Sequence, residues 1–281
     1  MLRIGPSGNS VTFYSTGHKH TIEAPEWLHS IGLNAYEYSF GRGITLKEDT
    51  AKSIGEQAKI YDVQISVHAP YYINFANTSP DMIDKSIDYV ERSVMFSNLF
   101  GGNRTVFHTA TCGKMQRADA VALASDNLDK LLNRLESVFP QGDYIICPET
   151  MGKIQQIGTV EEVVEFCKKS EKMIPCFDFG HINSYTHGGI KGEDDYRRII
   201  DYALDQLGER AKYLHIHFSK IMYGAGGEIK HLTFEDNVYG PEYEPLAKVI
   251  DEYQLSPVII CESRDVMSDD ALKIKNCHKN T

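Results

Sequence analysis

YIICPETMGK, residues 144–153, is the stretch on which the reading of the whole chain turns. Tyr144-Ile145-Ile146-Cys147 is a short continuous apolar run, the pattern of a strand buried on both faces as in a parallel sheet. It ends in Pro148-Glu149, and a carboxylate where a buried strand leaves the core is costly unless something pairs with it. Either the strand assignment is wrong, or Glu149 has a partner that compensates its charge.

Working outward, seven more β-rich runs appear at similar intervals: Leu2–Pro6, Ala35–Phe40, Gln64–Ala69, Arg104–Thr109, Pro175–Phe179, Tyr213–Phe218 and Val258–Glu262. Helical periodicity fills the gaps. Ile83, Ile87, Val90 and Val94 recur every three or four positions, as do Leu128, Leu132 and Leu135. The alternation runs through all 281 residues without a linker or repeat, so a single domain over 1–281 is expected. Eight βα units in this length predict an α/β fold, a (β/α)8 TIM barrel. A doubly wound open sheet is the competing architecture, but no Gly-rich phosphate fingerprint follows the first strand.

Composition narrows the class. Apolar residues make up 42% and charged residues 24%, ordinary for a chain with a substantial core. No run approaches the ~20 apolar residues that span a bilayer, and the N-terminus lacks a signal-peptide layout, so a cytoplasmic monomer away from membranes is expected. The six cysteines are scattered without a CxxC pair, which argues against a disulfide framework or a Cys-ligated zinc site. The balance of 29 basic to 39 acidic side chains, a net of −10, speaks against a generic polyanion-binding surface. Buried divalent cations would reverse that field locally.

In a barrel, functional residues gather at the carboxyl ends of the strands. The third to eighth runs deliver His68, His108, Glu149, Asp178 with His181, His215 with His217, and Glu262 to that end. One such His is more often a hydrogen-bonded core residue than a ligand. Six strand ends in succession, with carboxylates that would repel one another, point to a metal cluster with Glu149 as a bridging candidate. Mixed imidazole and carboxylate donors suit Zn2+, with Mn2+ or Fe2+ as alternatives. His18, His20, His29 and His278 are expected to be solvated. His187 is open, and His231 can cap the cluster from the long loop after the seventh strand.

These motifs resemble the endonuclease IV family of apurinic/apyrimidinic endonucleases, within the xylose-isomerase-like barrels. The likeness spans essentially the whole chain: HAPYYIN (68–74), FHTA around His108, PETMGK around Glu149, FDFGH with Asp178 and His181, HFSK with His217, and CES with Glu262. The resemblance implies a cluster of two to three zinc ions that cleaves duplex DNA beside abasic sites. It implies that Glu149 bridges, His68 and His108 serve one ion, Asp178, His217 and Glu262 a second, and His181 with His231 a third. Glu149, Asp178 and Glu262 would also be the catalytic carboxylates. Arg42 and the Tyr71-Tyr72 pair, in loops at the same end, are the DNA-contact candidates.

Three positions depart from the family pattern. Ile229 stands where the family has a third-site Asp, with Glu228 beside it, so either Glu228 substitutes with shifted geometry or the third site is weak or absent; the weakened site is the expectation. Ser219 replaces the usual acid or amide, and the first strand ends Gly5-Pro6-Ser7-Gly8, without the customary His. Two rival readings follow: a sugar isomerase or epimerase that uses Glu149, Asp178, His217 and Glu262 around one metal, and a silent barrel that binds a ligand.

Overall fold

The eight strand-like runs all form strands in the computed structural model, which describes residues 2–278. Met1 and the last three positions of the expected 1–281 domain lie outside the described residues. The strands are β1 (Arg3–Pro6), β2 (Ala35–Ser39), β3 (Gln64–His68), β4 (Arg104–Phe107), β5 (Ile145–Pro148), β6 (Cys176–Asp178), β7 (His215–Phe218) and β8 (Val258–Cys261). Each is one or two residues shorter than its apolar run at one or both ends.

All strand pairs in these arcs are parallel. One arc runs β2-β3-β4-β5, the other β1-β8-β7-β6. Bridges from Ser7 to Glu37 and from Glu149 to Cys176 join the two arcs into a closed TIM barrel. A helix follows every strand, including Pro80–Leu99 after β3 and Arg117–Val138 after β4, where the periodicity predicted them. Local signals fix the helix starts. Thr159 and Glu162 form a reciprocal capping box at Val160–Cys167, satisfying two amides that would otherwise lack partners.

Strand alternation divides the side chains between two environments. Tyr36, Ile65, Val67, Phe107, Ile146, Phe177, Ile216, Phe218 and Ile259 join the main apolar cluster with the helices. The alternate positions turn into the barrel. There Val106, Cys147 and Cys176 form one small cluster, and Ala35, Val258 and Ile260 another. Barrel interiors are ordinarily filled by branched apolar residues. This one instead buries Glu37, Ser66, His215 and His217, each no more than 1% exposed.

An antiparallel hairpin, Ile221–Gly224 with Gly227–His231, rises after β7 and folds over the barrel mouth. It docks on the loop after β5 by three backbone contacts: Glu228 N donates to Gly152 O at 2.9 Å, Ile154 N donates to Gly226 O at 3.1 Å, and Lys153 bridges Gly227. Gly227 makes this possible. Its φ is +87°, and a Cβ there would sit 2.1 Å from Gly152 O. Gly227→Ala should therefore destabilise the protein by about 1–3 kcal/mol from the left-handed backbone alone, read as a lower denaturant midpoint; an unchanged midpoint would contradict this docking.

One expectation fails here. His278 is buried, not solvated: Nε2 lies 2.7 Å from Tyr243 Oη and Nδ1 2.8 Å from Asp251 Oδ1. The C-terminal helix Met267–Asn276 carries it back against the helix after β7, which a polar tail sequence does not reveal. His18 is half-buried and stacks on Phe13 at 5.0 Å, whereas His20 and His29 are exposed. All six cysteines are free thiols and five are buried.

Candidate metal centre

Glu149 sits immediately past β5, 1% exposed, at the centre of the barrel mouth. Its two oxygens face different partners. Oε2 lies 3.1 Å from both His68 Nε2 and His108 Nε2, and Oε1 lies 3.1 Å from His217 Nδ1 and 3.4 Å from His181 Nδ1. Burial opposes a charge on Glu149, but His217 and His108 outweigh it and hold the carboxyl well below its ordinary range. The isolated carboxylate in the sequence thus has four imidazoles around it.

Asp178 ends β6 and caps the next helix, Phe179–Tyr185. Its Oδ1 accepts the His181 backbone N–H at 2.8 Å, which sets His181 one turn along on the same face. The second oxygen, Oδ2, is enclosed without a hydrogen-bond partner, 3.3 Å from His181 Nδ1. Burial raises the Asp178 carboxyl above its usual range, with Glu262 and Glu149 adding to the rise against His181. Burial works against a proton on His181, yet Asp178 and Glu149 carry it up to about 10.

Second partners fix which ring nitrogen faces inward. His68 Nδ1 donates to Ala69 O at 2.8 Å and His181 Nδ1 to Thr150 O at 2.9 Å, leaving Nε2 of each turned to the carboxylates of the mouth. Ser219 takes this part for His231, with its Oγ 2.9 Å from Nδ1.

The hairpin completes the rim through Glu228. Its carboxylate lies 3.5 Å from His181 Nε2 and 3.8 Å from His231 Nε2, while Ile229 is 59% exposed. A β-bulge explains the exchange. Met222 pairs with Lys230 and Tyr223 with Glu228, so Ile229 is the extra residue and is turned outward. The weakened third site expected from Ile229 is not what this geometry presents, because the bulge restores a carboxylate to the rim.

Three groups of ligand atoms therefore converge, each within 4.8 Å: His68, His108 and Glu149; Glu149, Asp178, His217 and Glu262; and His181, Glu228 and His231. The unpartnered Asp178 oxygen and the mixed nitrogen and oxygen donors fit divalent metal ions. All of these residues but Asp178 and His217, which lie buried beneath, line a cleft of about 450 Å3, whose wall includes Ser7, Tyr71, Lys153 and Arg264. A larger cleft, of about 710 Å3, lies at the opposite face around Arg3 and Asp62, without a histidine.

The loop candidates divide. Tyr71 stands over the site, 5.7 Å from the His68 ring and 5.6 Å from His108, and its N–H donates to Gly41 O at 3.1 Å. Arg42 and Tyr72 are exposed beside it but do not line the cleft. His187 lies outside the cluster, with Nε2 3.1 Å from Gly224 O. Sequence reasoning missed Glu37, which is wholly buried on β2 against His215 and His217. An acid is almost never fully buried unless paired, and here the pairing is with two imidazoles of another strand.

Comparison with known proteins agrees with this architecture. Residues 25–276 match the family model described as the xylose isomerase-like TIM barrel. An uncharacterized protein of Methanocaldococcus jannaschii is 30% identical over 258 residues, 92% of this chain and 91% of that one. A probable endonuclease 4 of Staphylococcus carnosus is 31% identical over 189 residues, 63% of this chain and 60% of that protein's length. Among solved structures, a D-tagatose 3-epimerase-like protein superposes with TM-score 0.68 at 19% identity, covering 89% of each chain. Endonuclease IV from Thermus thermophilus gives 0.67 at 15%, covering 93% of this chain and 95% of that one. With its barrel, its carboxylate-and-imidazole mouth and a family match over most of its length, the chain belongs to the xylose isomerase-like TIM barrel family and is similar to its endonuclease 4 members.

Proposed function

We propose that this protein is a metal-dependent phosphodiesterase that cleaves duplex DNA at apurinic/apyrimidinic sites, with two to three Zn2+ ions, or Mn2+ or Fe2+, as cofactor. The observation that carries this reading is that three ligand groups, not one, share the rim of a single cleft. Glu149 would join the first two groups through its separate oxygens. Glu228 would close the third with His181 and His231.

Divalent ions in such a site supply Lewis acidity, acidifying water toward neutrality and stabilising charge on the leaving oxygen. The chain's own residues do the rest. Asp178 holds the helix of His181 in place with one oxygen and keeps the other free for a metal shared with Glu149, His217 and Glu262. Lys153 and Arg264, both exposed in the cleft wall, place cations where backbone phosphates would lie. Tyr71 is placed to enter the gap an abasic nucleotide leaves, as apolar wedges enter unstacked duplex steps elsewhere. Arg42 and Tyr72 extend that edge.

The test is elemental analysis together with a nicking assay on duplexes with and without an abasic site. Cleavage should require the lesion and weaken as salt rises. Arg42→Ala should lower the salt slope of DNA binding by about 0.9, one phosphate contact, without changing metal content. Equal cleavage of intact duplex would defeat the assignment.

A second reading, a sugar epimerase, is favoured by the Glu149, Asp178, His217 and Glu262 group, which can serve one metal alone. It leaves His68, His108, His181, His231 and Glu228 without a task. Isomerisation of a free ketose with one metal per chain, and no cleavage of abasic DNA, would establish it instead.

A further inference from the structure

His217 is held unlike the other imidazoles of the rim. His68 and His108 face Glu149, and His181 and His231 face Glu228, through Nε2. His217 faces Glu149 through Nδ1, and behind it stands a carboxylate: Nε2 lies 2.9 Å from Glu37 Oε1. Glu37 is 0% exposed. Its other oxygen, Oε2, accepts from Ser66 Oγ at 2.8 Å and lies 3.0 Å from His215 Nε2. Among the described residues Oε1 and His217 Nε2 have no other hydrogen-bond partner, and the ring is not yet aligned for a hydrogen bond between them. A small rotation of the ring would satisfy both buried atoms at once.

We infer that Glu37 is a positioning residue for the metal centre: its carboxylate takes the Nε2–H of His217 and leaves the Nδ1 lone pair facing Glu149, Asp178 and Glu262. The inference rests on the metal centre proposed above. A carboxylate suits the place because it only accepts, and the surrounding groups, Ser66, His215 and His217, can all donate to it. A carboxylate behind a ligating imidazole also fixes its tautomer and raises its basicity. Cys176, His215 and His217 each also offer a ligand atom within 4.8 Å of one another, so a cation lower in the barrel would compete for the same imidazole. That pocket is wholly enclosed, and a ring nitrogen of His215 is already engaged by Glu37.

Glu37→Gln tests this with almost no change of shape. Ser66 and His215 retain the amide oxygen, so the NH2 group turns to His217. That group can only donate, which forces the His217 proton onto Nδ1 and removes its lone pair from the cluster. Zn2+ affinity, measured by chelator competition, should fall about 10–100-fold, and 15N-histidine NMR should show the proton of His217 moving from Nε2 to Nδ1. Affinity equal to that of the unmodified protein would overturn the proposal. Should the variant not fold, the spectrum of the unmodified Zn2+-loaded chain still decides, since a proton on His217 Nδ1 rather than Nε2 there would also overturn it. Cys176→Ser should keep its full metal content; loss of one ion would make the lower pocket a metal site and Glu37 one of its ligands, against the positioning role. None of these measurements uses DNA. A chain that passes them but leaves abasic DNA uncut would sink the proposed activity and leave the role of Glu37 standing.

Discussion

Glu149→Ala should strip metal from two positions at once and abolish phosphodiester cleavage. One Glu149 oxygen faces His68 and His108, the other His217 and His181, so no single neighbour can replace it. Loss of one preorganised electrostatic group commonly costs about 10^2–10^3 in rate, and a ligand shared between two ions should exceed that. The variant also leaves four imidazoles around an uncompensated hole, so its metal content should be read beside a thermal melt to show that the barrel is intact. A folded Glu149→Ala protein with a full complement of metal would remove the bridging role.

Glu228→Ala should cost one metal ion and most of the cleavage activity, whereas Ile229→Asp should change neither. This follows from the bulge, which aims Glu228 at His181 and His231 and leaves Ile229 outside. Side-chain position decides ligation because metal–oxygen distances near ~2.0–2.2 Å tolerate only a few tenths of an ångström. Elemental analysis of the two variants separates the cases. A silent Glu228→Ala, with added metal in Ile229→Asp, would mean that the hairpin does not complete a third position.

The family relationship and the barrel were legible in one dimension for a local reason. Strand ends carry the chemistry in this fold, and each of β3 to β8 has its polar residue within one position of its last paired one, as Phe107-His108, Pro148-Glu149 and Cys261-Glu262 show. Apolar runs and helical periodicity report burial directly, so the eight units could be counted before any contact was known. Exposure of the tail was harder. His278 follows a helix with a polar surface, and only its docking against Tyr243 and Asp251 buries it.

The rest depended on residues distant in sequence. Glu37 and His215 are 178 positions apart, and only closure of the barrel, with β2 and β7 both turned into its interior, brings them within hydrogen-bond reach. No pattern within β2 distinguishes a buried, paired Glu37 from a solvated one. Likewise, the spacing of Glu228, Ile229 and Lys230 does not say which side chain faces the cleft, since strand alternation gives one answer and a bulge shifts it by a residue. That choice was made by the register of Tyr223 against Glu228 and by the close approach of Gly227 to Gly152. The chain's order therefore settled the fold and the ring of donors. Tertiary packing settled which nitrogen each imidazole presents and which carboxylate closes the rim, because hydrogen-bond direction and strand register exist only once the barrel has closed.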